Sequence, residues 1–203
     1  MITLYHAPQS RSTRMIWWLE ELGAPYEIQP VSIFRPVTGE GDGDPANPHP
    51  DSKVPAIMHN GTLVAESLAI VLYLSDAFPQ AGLGPVAGAA GRGGYLTWLG
   101  WYACELEPAL FAGLGGELLG APMKLRGYDA AVRRLHNALA HSPYVLGEDF
   151  SGADLLIASA LTFGRKVFPE SAVLDAYIAR CQGRPAAVRG MALDQAAGLQ
   201  KAA

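Results

Sequence analysis

The chain has 203 residues, enough for one large or two small domains, and half of it is apolar, so a sizeable core is expected. A formal net charge of −4, a sequence pI of about 5.7 and Lys and Arg that are scattered rather than clustered give no electrostatic reason to expect a nucleic-acid partner. Cys104 and Cys181 make no disulfide framework, no metal-ligand spacing is present, the first residues lack the basic start and apolar core of a signal peptide, and no run of about 18 uncharged apolar residues occurs; the expectation is a cytoplasmic protein without metal or membrane span.

Residues 2–6 read as a short buried strand, and Ala7-Pro8-Gln9-Ser10-Arg11-Ser12 as a turn with cap residues. From Thr13 the apolar residues Met15, Trp18, Leu19 and Leu22 fall at helical spacing, with Gly23 and Pro25 as the stop. Residues 26–28 form a second short strand, which makes a right-handed βαβ unit. Residues 35–51, rich in Gly, Pro, Asp and Asn, form a loop. The stretch 53–67 then reads as strand, Asn60-Gly61 hairpin, strand and the start of a helix, whose Ile70, Leu74 and Phe78 share a face.

That helix start carries an acid, Glu66, and a hydroxyl, Ser67. Its unsatisfied N–H donors and the helix dipole favour a carboxylate there. Ser67 is expected to cap the helix or to donate its hydroxyl to an anion. A cis bond before Pro55 would turn Val54 outward, so that its N–H and C=O pair with an extended ligand backbone. Cis is a minority state of X-Pro bonds, and the sequence leaves the choice open.

Residues 78–94 contain Pro79, Pro85 and six glycines and read as a linker, with the domain boundary near Gly84. Beyond it no strand signal is convincing. Leu96, Leu99, Ala103, Leu106 and Leu110 make a stripe on a long helix, which Gly113, Gly115, Gly116 and Gly120 loosen or end. Residues 128–140 continue in helical period. In Ser151-Gly152-Ala153-Asp154, Ser151 is the expected N-cap, Asp154 its partner three residues on, and Phe150 a staple against Leu155. The helix after it is apolar nearly all round and is expected at the centre of a bundle. Residues 174–181 and 186–193 complete the helices.

Val54-Pro55 followed by Glu66-Ser67 resembles the glutathione site of the cytosolic glutathione transferase family, in particular its bacterial, serine-type, theta-like members. The resemblance extends to the strand and turn at the N-terminus, the linker and the Ser-x-x-Asp box, and so covers essentially the whole chain. It implies an α/β thioredoxin-like domain (βαβ-ββα) over residues 1–80, a linker over 81–90 and an all-α helical bundle over 91–203. Under the resemblance the proline loop pairs with the cysteinyl backbone of glutathione and the acid–serine pair holds its γ-glutamyl end. This gives Lys53, Val54, Pro55, Glu66 and Ser67 as the glutathione-binding set. The capping box resembles that of the family's buried C-terminal helix, where its role is folding. Family members are usually homodimers.

Only a thiolate is nucleophilic, and a free thiol has a pKa of about 8.5, so a hydroxyl donor near a helix N-terminus suits the task of activating glutathione. Counted back from Arg14, Ser10 matches the catalytic serine of serine-type members. Three alternates remain: Arg11, which matches the cysteine of cysteine-type members or is a solvated turn residue; Tyr5, near the donor of tyrosine-type members or packed beneath the site; and Ser12, which also suits a helix cap. No cysteine lies between Pro8 and Arg14, which leaves out mixed-disulfide chemistry there. Trp98, Trp101, Tyr102 and Glu105 lie off the aliphatic stripe and either line a second-substrate pocket for a hydrophobic electrophile or serve as dimer contact or ordinary core. The expected function is transfer from glutathione as co-substrate, with addition, isomerisation, ether cleavage and peroxide reduction open to the same fold. The competing reading is a non-catalytic glutathione- or ligand-binding protein of regulatory type that keeps the fold.

Overall fold

Four strands, β1 (Ile2–His6), β2 (Tyr26–Pro30), β3 (Ala56–His59) and β4 (Thr62–Ala65), pair in the order β2-β1-β3-β4. The computed structural model describes residues 1–36, 38–118 and 128–202. Its α-helices are α1 (Thr13–Leu22), α2 (Ser67–Ala77), α3 (Arg92–Trp101), α4 (Glu107–Leu118), α5 (Tyr128–Leu139), α6 (Gly152–Phe163), α7 (Ala172–Gln182) and α8 (Pro185–Ala202). They divide into one unit of Met1–Ala81 with Pro185–Ala203 and another of Gly82–Arg184. This is a thioredoxin-like sheet with its helices plus a helical region, the fold expected from the sequence.

In the first unit β1 runs parallel to β2 and antiparallel to β3, and β3 pairs antiparallel with β4. The parallel pair is joined through α1, as a βαβ crossover requires. The β3–β4 turn is the Asn60-Gly61 dipeptide, with φ of 51° and 75°, the doubly left-handed geometry whose twist suits a two-residue hairpin. Alternation buries Ile2 and Leu4, and α1 covers them with Met15, Ile16, Trp18 and Leu19, all fully buried. Each such side chain contributes about 1.5–3 kcal/mol by leaving water.

The sequence division assigned the last helix to the helical region; in the structure α8 packs against α1 in the first unit. The reason lies in Gly190. A Cβ there would stand 2.9 Å from the backbone nitrogen of Trp17, so the absent side chain lets the two helix backbones meet. The boundary expected near Gly84 lies close to the division after Ala81.

In the second unit the buried stripe of the long helix is Tyr95, Leu99, Tyr102, Leu106 and Leu110, while Leu96 is 42% exposed. Two tyrosine rings take the inward positions that the sequence reading gave to Leu96 and Ala103, and a π-helical turn over Tyr102–Leu106 separates α3 from α4. Gly113, Gly115 and Gly116 do not end α4, which runs on to Leu118. Gly113 is a packing site, with Val167 Cβ 3.0 Å from the place of a side chain. Gly120 lies outside the described residues.

Helix α6 is buried along most of its length. Asp154 reaches back from its first turn and accepts from Ser151 N (3.0 Å), Ser151 Oγ (2.8 Å), Val145 N (2.9 Å) and Tyr177 Oη (2.9 Å). Burial pushes its carboxyl above the ordinary range, while these donors pull it back down. The Phe150 ring meets Tyr144 edge-on and carries the Arg184 guanidinium over its face.

Replacing Asp154 with Ala removes one acceptor and orphans several buried donors. We expect Asp154→Ala to cost about 3 kcal/mol or more, and Ser151→Ala about 1 kcal/mol. Urea midpoints read both; equal and small losses would show that Asp154 does not hold the start of α6.

Candidate active site

The strand register brings three chain segments to one end of the sheet. Tyr5 lies opposite Ala56, and Ala56 opposite Ala65, in a single row across β1, β3 and β4. Beyond that row β1 leads into the turn holding Ser10, β3 is entered through Val54-Pro55, and β4 leaves through Glu66-Ser67. The Val54–Pro55 peptide bond is cis. Residues far apart in the chain therefore share one edge because the pairing admits no other register once Ile2, Leu4 and Ile57 are buried.

Glu66 occupies the N-cap position of α2 with φ 66° and ψ 127°, a costly conformation for a residue with a side chain. Its side chain is exposed. Of the two roles open to Ser67, cap and anion donor, the N-cap position itself falls to Glu66, whose side chain makes no cap bond. Ser67 is the first helical residue, it is buried, and its Oγ accepts from Arg14 Nη2 at 2.8 Å. A hydroxyl that accepts still has its own hydrogen to donate. Lys53 is exposed and pairs with Asp51 at 3.2 Å, a contact that contributes little in water.

The turn before α1 is built around hydroxyls. Ser10 Oγ donates to the Ala7 carbonyl at 2.7 Å and lies 2.8 Å from Ser12 Oγ. Ser12 holds the N-cap position, but its hydroxyl makes no cap bond; it lies 2.8 Å from His6 Nδ1 and accepts from Ala7 N. On the far side of the imidazole, His6 Nε2 stands 3.3 Å from Asp194 Oδ1 on α8, a charge contact without an aligned hydrogen bond. Asp194 also accepts from Gln9 N at 3.1 Å and from the Thr13 hydroxyl at 2.6 Å. Arg35 donates to the Pro8 and Gln9 carbonyls and holds the outside of the turn. Arg11 is exposed and Tyr5 is half-buried.

The four residues named for a second-substrate pocket lie in the helical unit. Trp101 and Tyr102 are buried, Trp98 is half-buried and Glu105 exposed. Trp98 and Trp101 meet edge-on at 5.1 Å with the Arg134 guanidinium over both rings, and the Tyr102 hydroxyl donates to Glu107.

Sequence reasoning missed His6, Arg14 and Asp194 as members of this site. His6 left a signal: it stands on the apolar, inward side of the strand that carries Ile2 and Leu4, where an imidazole needs partners. Asp194 left none, being a lone acid 185 positions from the Gln9 backbone that it holds.

Burial lowers the His6 pKa and the Asp194 charge offsets part of this. The unfolded chain protonates this imidazole below about pH 6.5, the folded chain only at lower pH. In that interval the unfolded state binds more protons, so acid weakens the fold. Stability should drop as the pH falls from about 7.5 through the unfolded value of about 6.5, and His6→Asn should shrink the drop. An unchanged drop in the variant would clear His6 of this role.

A family model described as the glutathione S-transferase N-terminal domain matches residues 4–82. Glutathione S-transferase 3 of Schizosaccharomyces pombe is 31% identical over 112 residues, covering 55% of this chain and 45% of that protein. An uncharacterized GST-like protein of Streptococcus mutans is 33% identical over 163 residues, covering 71% of this chain and 59% of that protein. The chain thus spans about half the length of these two curated relatives. A sphingomonad glutathione S-transferase, solved in complex with glutathione, superimposes with a TM-score of 0.73 at 27% identity, over 95% of this chain and 98% of that one. With the sheet order, the proline loop and the acid–serine helix start in place, these likenesses support a glutathione S-transferase family member whose N-terminal domain lies at residues 4–82.

Proposed function

We propose that the chain binds glutathione at the end of its sheet and activates the thiol as a thiolate for attack on a hydrophobic electrophile. The observation that carries this reading is the row Tyr5–Ala56–Ala65, which puts the serine turn, the Val54-Pro55 loop and the Glu66-Ser67 helix start side by side. The loop offers backbone groups to an extended peptide. The α2 start offers N–H donors and the Ser67 hydroxyl to a carboxylate, and Glu66 an acceptor for an ammonium group. Lys53, next to the proline loop, extends the set. Glutathione is an extended peptide with a carboxylate and an ammonium at its γ-glutamyl end, so its chemistry fits these groups. Ser10 is the proposed thiol contact, with Arg11, Tyr5 and Ser12 as rivals. A homodimer, and a second-substrate pocket that draws on Trp98, Trp101, Tyr102 and Glu105, belong to the same proposal.

One observation favours a second reading, a protein that binds glutathione or another ligand without turnover. The Ser10 hydroxyl is already engaged with Ala7 and Ser12 inside the chain, so it meets a thiolate only by giving up an existing partner. Calorimetry with glutathione, alongside a conjugation assay with a nitro-activated aryl chloride, separates the two. Binding with turnover supports the transferase; binding without turnover over a panel of electrophiles supports the second reading; no binding removes both.

Glu66→Ala and Ser67→Ala should each weaken glutathione binding by roughly 1.5–3 kcal/mol, the worth of a charge-assisted hydrogen bond. Unchanged affinity in both variants would take the pair out of the site. Ser10→Ala should lower turnover, leave the glutathione dissociation constant within a few-fold, and raise the pKa read from the pH–rate profile by roughly one to two units. A parent-like profile, with an upward shift in Arg11→Ala or Tyr5→Phe instead, would move the thiol contact to that residue.

A further inference from the structure

We propose that Ser10, Ser12, His6 and Asp194 form a proton relay that draws the proton of the bound thiol into the protein; this rests on the glutathione reading above. The path is hydrogen-bonded from Ser10 to His6, and Asp194 faces its inner end without an aligned hydrogen bond. Ser10 Oγ and Ser12 Oγ lie 2.8 Å apart, Ser12 Oγ and His6 Nδ1 2.8 Å apart, and His6 Nε2 and Asp194 Oδ1 3.3 Å apart. Its inner members are sealed from water, with His6 and Ser12 at 0% exposure and Asp194 at 2%, while Ser10 is half-buried at the outer end. Asp194 also holds the turn by accepting from Gln9 N and the Thr13 hydroxyl, but neither of those bonds requires an imidazole beside it.

The charges set the direction of the chain. A carboxylate facing Nε2 favours the tautomer with the hydrogen on Nε2, which leaves Nδ1 a bare acceptor. Ser12 then gives its hydrogen to Nδ1, and its oxygen is left to accept from Ser10. For the relay the Ser10 hydrogen turns from the Ala7 carbonyl, to which it donates at 2.7 Å, toward Ser12 Oγ, and Ser10 Oγ, which also accepts from Ser12 N at 3.1 Å, takes the thiol hydrogen on its remaining lone pair. The charged group that faces the imidazole is Asp194 on α8.

The step balances without any co-reactant. The S–H bond breaks and its electron pair stays on sulfur. The thiol proton passes to Ser10 Oγ, the Ser10 hydrogen to Ser12 Oγ, and the Ser12 hydrogen to His6 Nδ1. The imidazolium faces Asp194 and forms only in passing, because burial lowers the His6 pKa and the carboxylate charge offsets only part of that. The hydroxyls have now reversed, and Ser10 donates to the thiolate it has just helped to form. After conjugation and loss of the leaving group, the proton returns outward along the same atoms to solvent. Ser10 touches the reacting sulfur; Ser12, His6 and Asp194 act through it and are positioning residues.

The test measures kcat and glutathione affinity against pH in Ser12→Ala, Asp194→Asn and His6→Asn, with circular dichroism to confirm the fold. Each variant should lose roughly ten- to a hundredfold in kcat near about pH 6.5 and recover toward the parent above about pH 8.5, where solvent alone ionises the thiol. The glutathione dissociation constant should stay within a few-fold, and Ser12→Ala combined with His6→Asn should be no worse than either alone, because one cut breaks the path. Parent-like kcat, a loss equal at every pH, or independent losses that multiply would each overturn the relay. If His6→Asn does not fold, Ser12→Ala and Asp194→Asn, singly and combined, carry the same comparison. Absence of glutathione binding in the parent would instead overturn the reading beneath it.

Discussion

The site depends on one constraint, the register of β1, β3 and β4. A shift of one residue would turn Ile57 and its neighbours to the opposite face and move Pro55 and Glu66 out of line with the end of β1. The register is held by burial of Ile2, Leu4 and Ile57 and by the two-residue turn at Asn60-Gly61. Packing in the core therefore sets the relative position of groups that bind at the edge.

Helix α8 adds a second constraint. It comes close enough to α1 to reach the first turn because Gly190 lacks a side chain opposite Trp17. Four residues on, Asp194 meets Gln9 N, the Thr13 hydroxyl and His6. One carboxylate from the end of the chain thereby fixes the backbone of the serine turn and biases the imidazole behind it. The glycine and the acid are one helical turn apart, so packing and chemistry are set by the same face of α8.

Much of the fold was legible because its signals are local. Alternation at Ile2 and Leu4, helical spacing from Met15 to Leu22, the Asn60-Gly61 turn and the Ser151–Asp154 box each depend on residues within a few positions of one another. What escaped depends on distant partners. The place of α8 beside α1 rests on backbone approach at Gly190, which no pattern within residues 186–193 announces. The inward turn of Tyr95 and Tyr102 in place of Leu96 and Ala103 depends on which neighbours those rings meet. At the site, Ser67 and Ser12 looked like caps because both open helices; each hydroxyl went to a distant partner, Arg14 and His6. The residues of the proposed site came from the resemblance that local motifs carry, whereas the network that orients them is not local and was missed.

The account's central claim is that glutathione lies along the end of the sheet, across three segments of the first unit. The direct measurement is a titration of the isotope-labelled chain with glutathione, followed by amide proton–nitrogen NMR spectra. The account predicts saturable shifts concentrated at Ser10, Val54, Glu66 and Ser67. Saturable shifts that spare these residues and fall on the helical unit of Gly82–Arg184, or no shifts at all, would contradict it.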